Sequence, residues 1–319
     1  MKSKLPKVLH PVAGRPMILE VLATARPLEP NRCVIVVGHG AEAVQEVIGR
    51  DVSFALQLSP LGTGHAVMQA RDTLRDSSAD TLLVLFGDTP LIQPATLQRA
   101  LAHHQARGAA VTLLSFLAED PTGYGRIVRD EAGIVQGIVE HKDASAAQRA
   151  IRESNGGIMF FEAPWLWENL DRLTVSPQGE YYLTDMVAMA VSQGRLVEGM
   201  IVDEREVMGI NNRLQLAEAS QILWERRRRH WLLEGVTLVD PNSVWIDAEV
   251  TLGADTVIHP NVVLRGRTTV GPNCEIGPHC LLDEATVAEG CRVIQSQIIS
   301  SSLEAGASVG PFAVVCKGH

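Results

Sequence analysis

The sequence lacks any run of about 18 apolar residues, the length that a membrane-spanning helix requires, so no membrane span or membrane partner is expected. A convincing secretory leader is missing too. Lys2, Lys4 and Lys7 make the start basic, but His10, Pro11 and Gly14 interrupt the apolar stretch behind them. The five cysteines include no C-x-x-C pair, which predicts reduced, buried thiols and a cytoplasmic location. Positive charge is not in excess either. A net charge of −9 argues against nucleic-acid binding and leaves room only for a local basic pocket around a phosphate ligand.

What is present describes a globular chain of more than one core. At 319 residues it exceeds the usual size of a single domain, and 46% hydrophobic with 20% charged residues is an ordinary folded composition. Short apolar runs at Arg32–Val37, Ser53–Leu58, Thr81–Phe86 and Val111–Phe116 read as strands. Between them Met17–Ala25, Ala41–Ile48, Gly64–Leu74 and Pro94–Arg107 read as helices, the last with a proline in its first turn. This alternation predicts a mostly parallel α/β sheet with both faces covered. The alternation opens on a helix, whereas a nucleotide-binding α/β unit opens on a strand and a Gly-rich turn. A chain cut at its start is therefore expected.

A further helical stretch runs from Asn211 to about Leu233 and holds four consecutive cations, Arg226–Arg229. They read as a solvated face near the helix C-terminus, favoured by the helix dipole, in preference to a phosphate site. Beyond it the period changes. Ile246, Leu252, Ile258, Leu264, Val270, Ile276 and Leu282 recur at every sixth residue, each preceded two residues earlier by a small or β-branched residue from Val244 to Cys280. Neither a 3.6-residue helix nor a lone strand has that period. It fits a solenoid in which each hexad forms one flat side of a triangular coil. Cys274 and Cys280 then become small stacked fillers, and the register returns loosely at Val293, Val309 and Val315.

Several polar groups sit where α/β sheets bind ligands. Asp88, just past the strand ending at Phe86, lies at a carboxyl edge suited to Mg²⁺, although a turn aspartate before Pro90 reads equally simply. Gln57 and Leu61-Gly-Thr-Gly64 open a helix whose free N–H groups suit a ligand, or form a routine connection. Gly125, Glu140 and Asn155 fall in turns at strand ends, a placement that suits a carbohydrate needing several neutral hydrogen bonds and one carboxylate. Lys7 follows a proline that fixes its backbone. Asn211 and Asn212 precede the long helix, where an N-cap is the simple alternative.

In order, LPKVLH (Leu5–His10), Gln57 with LGTGHA (Leu61–Ala66), FGDTPL (Phe86–Leu91), DPTGYGRIV (Asp120–Val128), GIVEHKDA (Gly137–Ala144), QGEYYLTD (Gln178–Asp185) and GINNRLQL (Gly209–Leu216) form a highly specific series. With the hexapeptide tail, the chain resembles the bacterial bifunctional N-acetylglucosamine-1-phosphate uridylyltransferase/glucosamine-1-phosphate acetyltransferases. The resemblance implies a Rossmann-like, GT-A-like nucleotidyltransferase domain over residues 1–212, a linker helix over 213–235 and part of a left-handed parallel β-helix over 236–319. It implies uridylyl transfer from UTP to N-acetylglucosamine-1-phosphate, with Lys7 and Asp88 as catalytic residues and Mg²⁺ on Asp88 and Asn211. Gln57, Gly62 and Thr63 would face uridine, while Gly125, Glu140 and Asn155 would hold the amino sugar. Phe86 and Gly87 would line the site beside Asp88, with Phe86 standing where the family usually has tyrosine. Homotrimer formation through the β-helix is a further implication.

Two departures set further expectations. The family's first strand and its L-A-A-G-x-G-T-R-M loop precede LPK, and Met1 matches the final methionine of that loop, so a sheet without its first strand is expected. The family's acetyltransferase residues lie past the stretch matching Gly310-Pro-Phe312. His319 does not match the catalytic histidine, and acetyl transfer is not expected of this chain. A nucleotidyltransferase for another sugar-1-phosphate, or a catalytically impaired fragment serving as a β-helix scaffold, are the alternatives.

Overall fold

The computed structural model describes residues 1–75 and 79–317. Three positions of the first expected segment and the last two of the third, His319 among them, lie outside the described residues. The chain forms two compact units, one of Met1–His10 with Met17–Asn211, the other of Pro11–Pro16 with Asn212–His319.

The first unit runs α1 (Met17–Ala25), β1 (Val34–Val37), α2 (Ala41–Ile48), β2 (Ser53–Leu56), α3 (Thr63–Leu74), β3 (Thr81–Val84), α4 (Pro94–Arg107) and β4 (Val111–Leu117). It continues through β5 (Arg126–Arg129), β6 (Val135–Val139), α5 (Ala146–Arg149), β7 (Glu153–Glu162), α6 (Ala163–Asn169), α7 (Asp185–Ser192) and β8 (Val197–Ile201). β1 and β2 pair in parallel, separate from a six-stranded sheet of order β8-β4-β7-β5-β6 with β3 also on β7.

The sheet is mixed, not mostly parallel as the alternation suggests. β7 runs antiparallel to β3, β4 and β5, and among the described residues only β8 joins the larger sheet in parallel, along β4. β7 is long enough to change partners along its length, with a register shift opposite Leu113–Ser115. Its alternation covers both faces. Met159 and Phe161 join Leu113, Trp165 and Met186 on one side, while Ile158 and Phe160 join Leu97, Leu114 and Phe116 on the other. β3 ends at Val84 rather than Phe86 and is half-buried rather than fully buried, because β7 is its one strand partner among the described residues.

In the second unit α8 (Arg213–Leu233) precedes a three-sided parallel β-helix. Leu264 faces Leu282, 18 residues on, and Val270 faces Val287, 17 on. Leu282 faces Ile298, 16 on. Some sides past Leu282 are thus a residue shorter, which is why a strict six-residue step loses the register while Val287, Ile298 and Leu303 still point inward. Cys274, Cys280 and Cys291 are buried in this core. Cys316 departs from the expectation of buried thiols. It lies on the outward side of the strand Val314–Cys316 and is exposed.

The arginine tract is a solvated face only in part, with Arg229 exposed but Arg228 buried. Pro11–Val12 and Arg15–Pro16 form a hairpin whose Ala13 N–H donates to Ser220 Oγ at 3.1 Å. Arg227 donates to the carbonyls of Ala13 at 2.6 Å and Ile246 at 3.2 Å. Arg228, only 6% exposed, donates to the Val244 carbonyl at 3.2 Å. These side chains fasten α8 and the hairpin to the first coil. Arg228→Ala is expected to cost about 1–3 kcal/mol in urea unfolding, since a buried acceptor loses its charged donor. Arg229→Ala, at an exposed position, is expected to stay within about 0.5 kcal/mol. No helix among the described residues is long and apolar enough to cross a membrane.

Candidate active site

The chain leaving β3 turns sharply, with the Phe86 carbonyl accepting from Thr89 N at 3.3 Å and from Thr89 Oγ1 at 2.9 Å. The Phe86 ring lies against Gly157, where a Cβ would come within 2.5 Å of it. At Gly87 a Cβ would sit 3.1 Å from Ile18 and 3.2 Å from Val8, so the bare glycine lets the Lys7 segment approach. The Asp88 carbonyl accepts from Ile210 N at 2.9 Å, which places Asn211 beside Asp88. Asn212, not Asn211, caps α8 by accepting from Gln215 N at 2.9 Å. The Lys7 ammonium donates to Asp88 Oδ2 and, at 2.6 Å, to Asn211 Oδ1. A cation thus already bridges a carboxylate and an amide oxygen, the hard donor pair that a small divalent metal prefers alongside phosphate and water.

A second cluster gathers around the start of α3. The Gln57 backbone N–H continues the β1–β2 pairing to Val37 O at 2.8 Å, and its Nε2 donates to Gly62 O at 3.1 Å. Gly62 has φ +99°, and a Cβ there would meet the Tyr181 carbonyl at 2.6 Å, so only glycine fits this helix start. Tyr181 N donates to Leu61 O, and Gly64 N to Tyr181 O, both at 2.8 Å. Thr63 Oγ1 accepts from Leu183 N at 3.0 Å.

The third cluster lies at the ends of β5 to β7. Asn155 N donates to Gly125 O at 2.8 Å, and Asn155 Oδ1 accepts from Gly157 N at 3.0 Å. Gly125 lies next to the Glu140 carboxylate, which a Cβ there would approach to 3.5 Å. Asn155 and Gly157 lie inside strand β7 and not in the turn that the sequence suggests. Glu140 Oε1 accepts from Thr184 Oγ1 at 3.0 Å. Burial pushes the Glu140 carboxyl above its ordinary range. The Thr184 hydrogen bond opposes that shift, and Asp185, Asp143 and Glu180 add to it.

Lys7, Asp88 and Asn211 therefore meet in one place, Gln57, Gly62 and Thr63 in another, and Gly125, Glu140 and Asn155 in a third. The sequence offers no site residue for what ties the last two together. Tyr181, Leu183 and Thr184 form a strap that bonds the α3 loop at one end and Glu140 at the other. Thr184, before α7, has the form of an N-cap, yet its hydroxyl makes no cap bond and goes to Glu140 instead. That choice leaves no local signal.

An α/β sheet with a cation-binding turn at its strand ends, followed by a β-helix of hexads, defines a hexapeptide-repeat nucleotidyltransferase. The nucleotidyl transferase family matches residues 2–247, and six bacterial transferase hexapeptide repeats match residues 249–284. Among curated relatives, Bifunctional protein GlmU of Stutzerimonas stutzeri is 48% identical across all of this chain and 70% of its own length. Its counterpart in Brevibacillus brevis is 47% identical across all of this chain and 69% of its own. That of Caldanaerobacter subterraneus is 43% identical over 98% of this chain and 68% of its own. The chain belongs to the GlmU family. It is accordingly a nucleotidyltransferase of UDP-N-acetylglucosamine synthesis, in a family that uses a divalent metal and nucleotide-sugar substrates.

Proposed function

We propose that this site joins UTP and N-acetylglucosamine-1-phosphate into UDP-N-acetylglucosamine and pyrophosphate, with Mg²⁺ held by Asp88 and Asn211. The observation that carries this reading is the Lys7 ammonium shared between those two side chains. Bound there, Mg²⁺ would neutralise phosphate charge and orient the triphosphate. Lys7, released from Asp88, turns to the phosphate oxygens and keeps its positive charge beside them. Gln57, Gly62 and Thr63 hold the uridine, and Phe86 and Gly87 form the wall next to Asp88. Gly125, Glu140 and Asn155 hold the amino sugar with its phosphate directed at the α-phosphorus. The attacking phosphate oxygen is already ionised at neutral pH, so the chain's residues act by positioning and charge rather than as a general base.

In this reading residues 1–212 carry the chemistry in the cytoplasm, residues 213–235 form a linker helix, and residues 236–319 assemble a homotrimer. Assembly is supported by one face of the β-helix. Trp245, Val263 and Leu281 make an apolar outward row there, where another face shows Thr251, Thr269, Thr286 and Ser302. Incubating the protein with UTP, Mg²⁺ and N-acetylglucosamine-1-phosphate should release pyrophosphate, and glucose-1-phosphate should release far less. A folded protein that releases none at high concentration would favour the impaired scaffold, and equal release with both sugars would favour a different sugar substrate.

A further inference from the structure

We propose that His65 is a positioning residue that makes Gln57 present its carbonyl oxygen to the pyrimidine, and thereby selects uridine over cytidine nucleotides. The inference rests on the proposed placement of uridine beside Gln57. Gly62 O can only accept, so the Gln57 atom 3.1 Å from it is the amide nitrogen. The same nitrogen lies 2.9 Å from His65 Nδ1. That ring atom then accepts, which assigns the ring proton to Nε2. Both hydrogens of the Gln57 amide are thereby committed inward. Its Oε1 accepts from none of the described residues and is the polar atom left to present outward.

The ring is itself held in place. It stacks on Tyr181 with centroids 6.2 Å apart and planes at 25°, and Tyr181 is bonded through its backbone to Leu61 and Gly64. Gln69 Nε2, one turn along α3, donates to the His65 carbonyl at 3.2 Å and lies equally far from His65 Nε2, a longer approach than the 2.9 Å at Nδ1, so Nδ1 is the ring atom that accepts.

The chemical consequence concerns one atom of the base. N3 of uracil carries a hydrogen, whereas N3 of cytosine carries a lone pair. With the ring seated on the Leu61–Thr63 turn, a carbonyl aimed at N3 bonds uracil and repels cytosine. Without His65 the Gln57 amide is held at Gly62 O alone, and it can turn to offer an N–H to the lone pair of cytosine N3.

The test is calorimetric binding of Mg²⁺-UTP and Mg²⁺-CTP to the full chain, with folding of each variant checked by thermal unfolding. The wild type is expected to favour UTP by about tenfold or more, because a site built around a hydrogen bond rejects the base that cannot make it. His65→Ala and His65→Phe should both narrow that preference to within about threefold. Phenylalanine keeps the ring against Tyr181 and so carries the test should the alanine variant not fold. His65→Asn, whose amide oxygen can replace Nδ1 as acceptor, should restore most of the preference. A purely structural His65 would weaken both nucleotides alike and leave the ratio unchanged. Should Gln57→Ala abolish the preference while His65→Ala and His65→Phe keep it, His65 does not position Gln57 and the base site stands. Should Gln57→Ala keep the preference as well, or the wild type bind neither nucleotide, the base-site placement falls and this inference falls with it.

Discussion

Replacing Asp88 by alanine is expected to lower uridylyl transfer by about 10³-fold or more, while the protein stays folded. Asp88 and Asn211 are the two oxygen donors that meet at the Lys7 ammonium, and only Asp88 supplies a negative charge. Removing it leaves Lys7 and Asn211 with no carboxylate to attract a divalent cation, so the charge of the triphosphate goes largely uncompensated. The fold should tolerate the change for a stated reason. The turn is held by backbone bonds, Thr89 N to Phe86 O and Ile210 N to Asp88 O, and not by the carboxylate. The side chain is 26% exposed, where an ion pair contributes at most about 1 kcal/mol. Asp88→Asn should fall between, retaining an oxygen but not the charge. The measurement is pyrophosphate release across a Mg²⁺ titration, alongside urea unfolding. Activity that survives in Asp88→Ala with an unaltered Mg²⁺ dependence would sink the metal assignment.

This site also shows what a sequence makes legible and what it does not. Met17–Ala25, Ala41–Ile48 and Pro94–Arg107 form helices over the residue ranges that periodicity predicts, because period and end signals are local. Buried hexads are equally readable until Leu282, where some sides of the coil shorten by a residue and only the stacking partner, 17 or 16 residues away, defines the place. The start of β7, ahead of the apolar run Ile158–Phe161, is hidden for a different reason. It contains Ser154, Asn155 and two glycines, which locally favour a turn. It is nevertheless a strand, because β4 and β5 pair with it and Glu153 bonds Ser115 and Arg129 across the sheet. Arg228 reads as a surface cation until the Val244 carbonyl is placed beneath it. The candidate site residues are named through resemblance, but their grouping is not legible in the sequence. Asp88 meets Asn211 only because Ile210 bonds the Asp88 backbone, a contact between residues far apart in sequence.

Glu140→Gln is expected to weaken the binding of N-acetylglucosamine-1-phosphate by about tenfold or more and, at the same time, to stabilise the folded protein at neutral pH. Both effects come from one carboxylate. Burial is the largest influence on Glu140, and the neighbouring charges of Asp185, Asp143 and Glu180 act in the same direction, against the hydroxyl of Thr184. The folded protein therefore prefers the neutral acid more than the unfolded chain does, whose glutamates titrate near about 4.3. The stability that this preference contributes is fully present below that ordinary range and is lost as pH rises through the raised folded value. At pH 7 an ionised Glu140 is thus a cost to the fold. Glutamine removes the cost and still offers an oxygen to Thr184. The melting-temperature advantage of Glu140→Gln should be clear at pH 7 and shrink toward zero as the pH falls to about 4, where the wild-type side chain is neutral as well. An advantage that grows on acidification, or a variant less stable than wild type at pH 7, would contradict this. The loss of sugar binding follows from the same charge. A carboxylate accepts hydroxyl hydrogen bonds more strongly than an amide and on both oxygens, and a site can sacrifice stability to hold such a group where a substrate will meet it.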